Sequence, residues 1–347
     1  MMAIVSVIVI HVFQTWPDAC VMNFKIISLS SLFKFCVPVF LMLSGALLLN
    51  RNIELSDFFK RRFTRLTYPF ILHMILYVLV LGLLIVFFDK FNGLSIYIDN
   101  VPLAYNWYFW TIFSVYLGIP IINKFIQHST EKEIEYFIYV FFIGSIFYQL
   151  ILYFGIIQYI NLNLFVSPFG YLVLGYYLDK KEFNFSSKKI VSLSLLAFAV
   201  VTLIKMGTFL NYFPNFLVVD TEAARSAIVY SWMDFGFIQL IQASAVFLCI
   251  KYLYSCEDGF YNKIKNCLER NLINRFIESV SKASYGMYLV HHTILEPLRI
   301  VILAFPFTGT QVCLMILILS VGLNAVCWLI ICIMNRIPFI GQFSGYH

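Results

Sequence analysis

The chain has 347 residues, of which 61% are apolar and only 12% charged, and its mean hydropathy is +0.85. A soluble globular domain carries about 25% charged residues, so this composition excludes one and points to a protein that lives in a bilayer. The net charge of +6 is not a nucleic-acid signature, because the basic residues sit in short loops between apolar spans rather than on one face. The eight cysteines form no C-x-x-C pair and mostly lie inside spans, which makes them packing residues rather than a disulfide frame or a zinc site.

Apolar runs near 2–14, 27–49, 68–88, 106–126, 136–154, 162–178, 190–210, 227–253, 284–304 and 311–335 predict ten spans. No stretch has a soluble composition, so the expected fold is all-α: a polytopic membrane helix bundle forming a single domain, 1–347. The first run is short, since a span needs about 20 residues, and it lacks the basic region and small-residue cleavage site of a signal peptide. Ten spans place both termini on one side of the membrane. Charge says which side: outside loops would hold only Lys25, Lys90 and Arg225, while Lys34, Lys205 and Arg299 fall within spans and every other Lys and Arg lies inside. Short loops rich in Lys and Arg stay cytoplasmic, so both ends are expected there.

The second span ends in a strongly basic loop holding Arg51, Lys60, Arg61, Arg62 and Arg65 against Glu54 and Asp57. It serves as a topology signal, and it also suits a polyanionic cytosolic ligand, because guanidinium groups grip phosphate oxygens two at a time. Arg62 and Arg65, three apart, would share a helix face. The segment 254–283 reads as a charged, partly helical cytoplasmic linker, and 211–226 as an outside segment suited to a lid.

Several polar residues lie where apolar ones belong. His11 sits in the first span, roughly 15 Å along the helix, near mid-membrane. An ionisable group at that depth is a functional candidate, and an imidazole is the usual general base for a hydroxyl nucleophile; the bland alternative is a neutral ring bonded to a neighbouring helix. Ser44 in FLMLSG reads as a close-approach point between helices more readily than as a nucleophile, since it lacks a strand-turn-helix setting. Asn106–Trp110 (NWYFW) fits an aromatic belt or, more sharply, a sugar-stacking platform. The run SYGMYLVHH brings Tyr285, Tyr288, His291 and His292 into one span with Glu296 and Arg299, which suggests a water-accessible cavity. A metal is not expected: no H-x-x-x-H spacing occurs, and adjacent helical histidines point in different directions.

Together these pieces resemble the acyltransferase 3 family of polytopic membrane acyltransferases. The likeness rests on IVSVIVIHVFQTW, VPVFLMLSG followed by RFTR, NWYFW, and SYGMYLVH, in that order over essentially the whole chain. It implies acyl transfer, commonly of acetyl from acetyl-CoA, to a hydroxyl of a cell-surface glycan or its lipid-linked precursor, in a bacterial cytoplasmic membrane. By the same resemblance His11 matches the essential first-span histidine, Arg62 and Arg65 match the donor-associated R-x-x-R (with Arg61 beside them), and His291 matches the ninth-span histidine. Tyr285 and Tyr288 are expected to orient His11 or stabilise an oxyanion; Ser44, Trp107 and Glu296 are taken as substrate-binding candidates. The family pairs its first histidine with an Arg or Lys eleven residues upstream, a position before Met1 here, so the resemblance implies either a misassigned start or a first helix truncated at its N-terminus that lacks part of the donor site. The competing expectation from another class is a non-enzymatic glycan exporter or flippase, which predicts inverted repeats; none is evident.

Overall fold

A computed structural model describes residues 1–14, 28–52, 54–88, 107–153, 167–216, 236–257, 259–303 and 309–347. These form twelve α-helices: α1 (Met2–Phe13), α2 (Cys36–Leu48), α3 (Leu55–Phe88), α4 (Trp107–His128), α5 (Glu131–Tyr153), α6 (Pro168–Lys180), α7 (Ser187–Phe216), α8 (Phe237–Leu253), α9 (Gly259–Leu268), α10 (Asn271–Lys282), α11 (Ser284–Leu303) and α12 (Gly309–Arg336). Short 3-10 turns sit at Leu29–Leu32 and Gly341–Phe343, and no strand occurs among the described residues. The protein is all-helical, and six helical stretches are long and apolar enough to cross a membrane: 29–48, 55–84, 107–128, 131–150, 187–207 and 310–336. Of the remaining expected spans, α1 and α8 are shorter apolar helices, α6 has only 13 residues, and α11 reaches 20 residues but carries His, Glu and Arg. The expected lid at 211–226 lies largely outside the described residues.

One expectation changes. The basic segment after the second span is not a loop: α3 starts at Leu55 and runs 34 residues without interruption through Arg65 and past Pro69. Charge interrupts hydropathy without interrupting helicity, since Lys, Arg and Glu are good helix formers, and Arg61 closes an i,i+4 pair with Asp57 at 3.3 Å. Likewise the 254–283 linker is two amphipathic helices, α9 and α10.

Contacts divide the chain into two units. In the first (1–19, 52–118, 275–347), α11 packs on α3 and α12, and α1 lies against α11 and α12. Aromatic rings zip α3 to the first half of α4: Phe70 stacks on Phe109 at 3.6 Å, Phe63 meets Phe113 edge-on at 4.7 Å, and Phe58 meets Tyr116. The stretch 107–110 therefore has an inner side, with Phe109 only 2% exposed, while Trp107 and Trp110 face outward. The segment 341–347 closes both helix ends at the α10–α11 junction. The Gly286 N–H, one of the orphan donors of a helix start, reaches the Gly345 carbonyl at 3.3 Å, and the His347 N–H reaches the Lys282 carbonyl at 2.9 Å. A side chain on Gly286 would strike the Ser344 carbonyl oxygen, so only glycine permits this seal.

In the second unit (20–51, 119–274), α2 crosses α6 and α7 pairs with α8. The first crossing is glycine on backbone in both directions: a Cβ on Gly45 would sit 1.8 Å from the Leu172 oxygen, and one on Gly175 would sit 2.0 Å from the Met42 oxygen. Small residues are how helices approach closely where no hydrophobic force acts between them. The Lys251 ammonium donates to the carbonyls of Leu178, Asp179 and Lys181, placing a cation on the negative C-terminal end of α6. Lys181 in turn bonds Glu131 and Glu135, and these two carboxylates hold its pKa above the usual lysine value.

Candidate active site

Three imidazoles meet in the first unit. α1 carries His11 and α11 carries His291 and His292; the His11 ring centroid lies 5.1 Å from that of His291 and 4.5 Å from that of His292, and the latter two are 4.1 Å apart. His291 is fully buried, His292 is 5% exposed, and His11 is half-buried.

Each ring has an oxygen facing its Nδ1. For His291 it is the Tyr288 carbonyl one turn back; for His11 it is Gln14 Oε1 at 3.0 Å; for His292 it is Glu296 Oε1 at 3.9 Å. A carbonyl can only accept, so His291 carries its proton on Nδ1 and presents Nε2 as a bare lone pair; that Nε2 has no hydrogen-bond partner among the described residues. Such an oxygen at Nδ1 is the usual device for fixing which nitrogen does chemistry. One ring nitrogen from each histidine lies within 4.8 Å of the others, so among the described residues the trio is also a group that could hold a metal ion. No spacing along the chain reports this trio, because α1 supplies the third nitrogen from far away in sequence.

The two tyrosines separate. The Tyr285 hydroxyl donates to the Leu66 carbonyl at 2.6 Å, tying α11 to α3 and leaving it committed to structure. Tyr288 is 8% exposed, its ring 5.9 Å from His291 and edge-on to Tyr108 at 5.5 Å. Its hydroxyl faces the backbone of Phe109 and Tyr108 without closing a well-formed hydrogen bond among the described residues. Tyr288 is thus the tyrosine that the structure brings to the histidines.

Glu296, expected at the substrate, faces His292 instead, and Arg299 lies within electrostatic reach of the same ring. Ser44 belongs to the second unit, where its hydroxyl donates to the Phe40 carbonyl at 3.0 Å beside the Gly45 crossing; the close-approach reading describes it. Trp107 opens α4 with its ring edge-on to Tyr108. His292 is the ring nearest His11, and the only sequence feature that bears on it is its one-turn spacing to Glu296.

Arg62 and Arg65 lie one turn apart on α3, and neither forms an ion pair among the described residues, whereas Arg61 is engaged with Asp57. His347 Nε2 donates to the Arg65 carbonyl at 3.2 Å, and burial lowers its pKa from the usual imidazole value. A neutral His347 beside two unpaired guanidinium groups leaves their charge available to an anion.

Compared with known families, residues 1–332 match the acyltransferase 3 model, described as an acyltransferase domain. The chain belongs to the acyltransferase 3 family. No curated protein and no solved structure gives a match. With six long apolar helices, this acyltransferase is an integral membrane protein, and its family fixes the class of reaction: transfer of an acyl group from a donor to an acceptor.

Proposed function

We propose that this membrane acyltransferase moves an acetyl group from acetyl-CoA to a hydroxyl of a cell-surface polysaccharide or its lipid-linked precursor, in a bacterial cytoplasmic membrane. The observation that carries the chemistry is His11 packed against His291 and His292. The paired arginines Arg62 and Arg65 support a phosphate-rich donor such as CoA, because unpaired guanidinium groups one turn apart can clamp one phosphate together.

In this mechanism the His11 imidazole takes the proton of the acceptor hydroxyl as its oxygen attacks the thioester carbonyl. The resulting oxyanion collapses, the C–S bond breaks, and CoA thiolate leaves with the proton returned by the imidazolium. His292, held toward Glu296, and His291, held by the Tyr288 carbonyl, fix the surroundings of the His11 ring; the Tyr288 hydroxyl is the donor best placed to serve an oxyanion.

The test measures glycan O-acetyl content in cells lacking the gene and complemented with the native open reading frame, His11→Ala or Arg62→Ala. Rescue by wild type and by neither variant, at equal membrane abundance, is the expected result. Unchanged O-acetylation with reduced surface glycan would instead favour an exporter and sink this reading. General-base loss of this kind costs about 10²–10⁴-fold in rate, enough to remove the ester signal.

A further inference from the structure

The second unit seals a group of polar side chains inside its helices. Lys205 and Thr202 on α7 are each 3% exposed, Gln239 and Gln242 on α8 are 0%, and Ser31 before α2 is 1%. The Lys205 ammonium donates to Gln239 Oε1. Gln242 Nε2 donates to the Ser31 carbonyl at 2.9 Å and to Thr202 Oγ1 at 2.8 Å.

These partners fix the direction of both amides. An ammonium has nothing to accept with and a carbonyl nothing to donate, so Gln239 must turn its oxygen to Lys205 and Gln242 its nitrogen to Ser31. What remains is a buried donor, Gln239 Nε2, and a buried acceptor, Gln242 Oε1, neither with a hydrogen-bond partner among the described residues. They stand three residues apart on α8 and so share a face. Buried polar groups are normally satisfied, and each exception in a native fold needs an explanation; apolar side chains would serve better if the residues only filled space.

The location narrows the explanation. At about 1.5 Å per residue, Lys205 lies roughly 27 Å along α7 from Ser187, nearly the thickness of a hydrocarbon core of about 30 Å. The near end of α7 carries Lys188 and Lys189. α8 runs back from Gln239 to Lys251, which caps α6 at the same basic end. The cluster therefore sits at the end of the second unit away from its basic segments, where a bilayer meets the opposite aqueous phase.

We propose that Lys205, Gln239 and Gln242 form a binding site for a hydroxylated ligand, the saccharide of the acyl acceptor. The proposal rests on the glycan-acylating reading above. A sugar hydroxyl both accepts and donates, so it fills the open Gln239 donor and the open Gln242 acceptor together. The Lys205 ammonium holds Gln239 in the direction that leaves Nε2 open; a lipid tail offers neither partner.

The decisive variant is Gln239→Glu, which keeps an oxygen for Lys205 while turning the Nε2 donor into a second, charged acceptor oxygen; Lys205→Met is the second. Purified protein in nanodiscs is given acetyl-CoA and, as probe, envelope saccharide extracted from the source cells and stripped of esters with mild alkali. CoA release gives KM for each substrate, and the melting shift caused by the extract gives binding independently of turnover. The expected result is an acceptor KM raised at least about tenfold in both variants with the donor KM unmoved, and a melting shift lost in both. An acceptor KM and melting shift within twofold of wild type overturn the site and leave a buried structural water. A wild type that binds the extract but releases no CoA overturns the acyltransferase reading, and the melting shift still decides the site.

Discussion

Three imidazoles that share one small volume have two chemical uses, moving a proton or holding a metal, and a chelation experiment separates them. A zinc–histidine bond is about 2.0–2.1 Å, so nitrogens on one tetrahedral ion sit roughly 3.4 Å apart. The ring nitrogens of His11, His291 and His292 lie within 4.8 Å of one another, which is open enough for a proton to be held by one ring at a time and close enough for an ion to draw them in. Under the general-base mechanism, added Zn²⁺ inhibits CoA release by occupying the lone pairs, and a chelator restores the rate. Chelator treatment of the untouched enzyme leaves the rate unchanged. Loss of activity on chelation with recovery on Zn²⁺ would make the trio a metal centre and remove His11 as the base. His11 and His291 were legible in the sequence because each stands out within an apolar run and within a family motif. His292 was not: adjacent helical residues point about 100° apart, and only the arrival of α1 brings both rings to His11.

For the six helices long and apolar enough to cross a membrane, the apolar run is legible in the sequence and the helix end is not, for a physical reason. Hydropathy reports where lipid contacts are favourable, while a helix continues wherever backbone hydrogen bonds continue, so α3 extends through the basic turn from Leu55. Ser44-Gly45 shows the opposite case, in which a local small-residue signal correctly marked a crossing. The prediction at this scale contrasts glycines. Gly45→Val and Gly175→Val drive a side chain into a backbone carbonyl of the crossing helix, which cannot move aside as a side chain would. Overpacking costs about 1–3 kcal/mol and occasionally more, and these two should reach the upper end. Gly82→Val and Gly322→Val meet open space and serve as controls on long helices. Fluorescence-detected melting in detergent should fall for the first pair alone; equal effects in all four would mean that helix propensity or lipid contact, not the α2–α6 crossing, sets the cost.

For the molecule as a whole, orientation decides whether the proposed donor site works, because acyl-CoA is a cytosolic solute and Arg62 and Arg65 must face it. The asymmetry of Lys and Arg argues that they do, and the protein carries its own reporter. Cys267 is a free, exposed thiol on α9, between Lys265 and Arg270 in a segment that the charge rule places inside. With the other cysteines replaced by serine, an impermeant maleimide added to intact spheroplasts should leave Cys267 unlabelled until the membrane is permeabilised. A cysteine placed at Thr310, at the start of α12, should label from outside without permeabilisation, since α12 runs from there to the basic Arg336. In the same orientation, Arg62→Ala and Arg65→Ala raise the KM for acetyl-CoA about tenfold or more with little change in kcat, the pattern of lost ground-state binding, and the effect weakens as salt screens the phosphates. Labelling of Cys267 from outside would overturn the charge rule on which the proposed donor site rests.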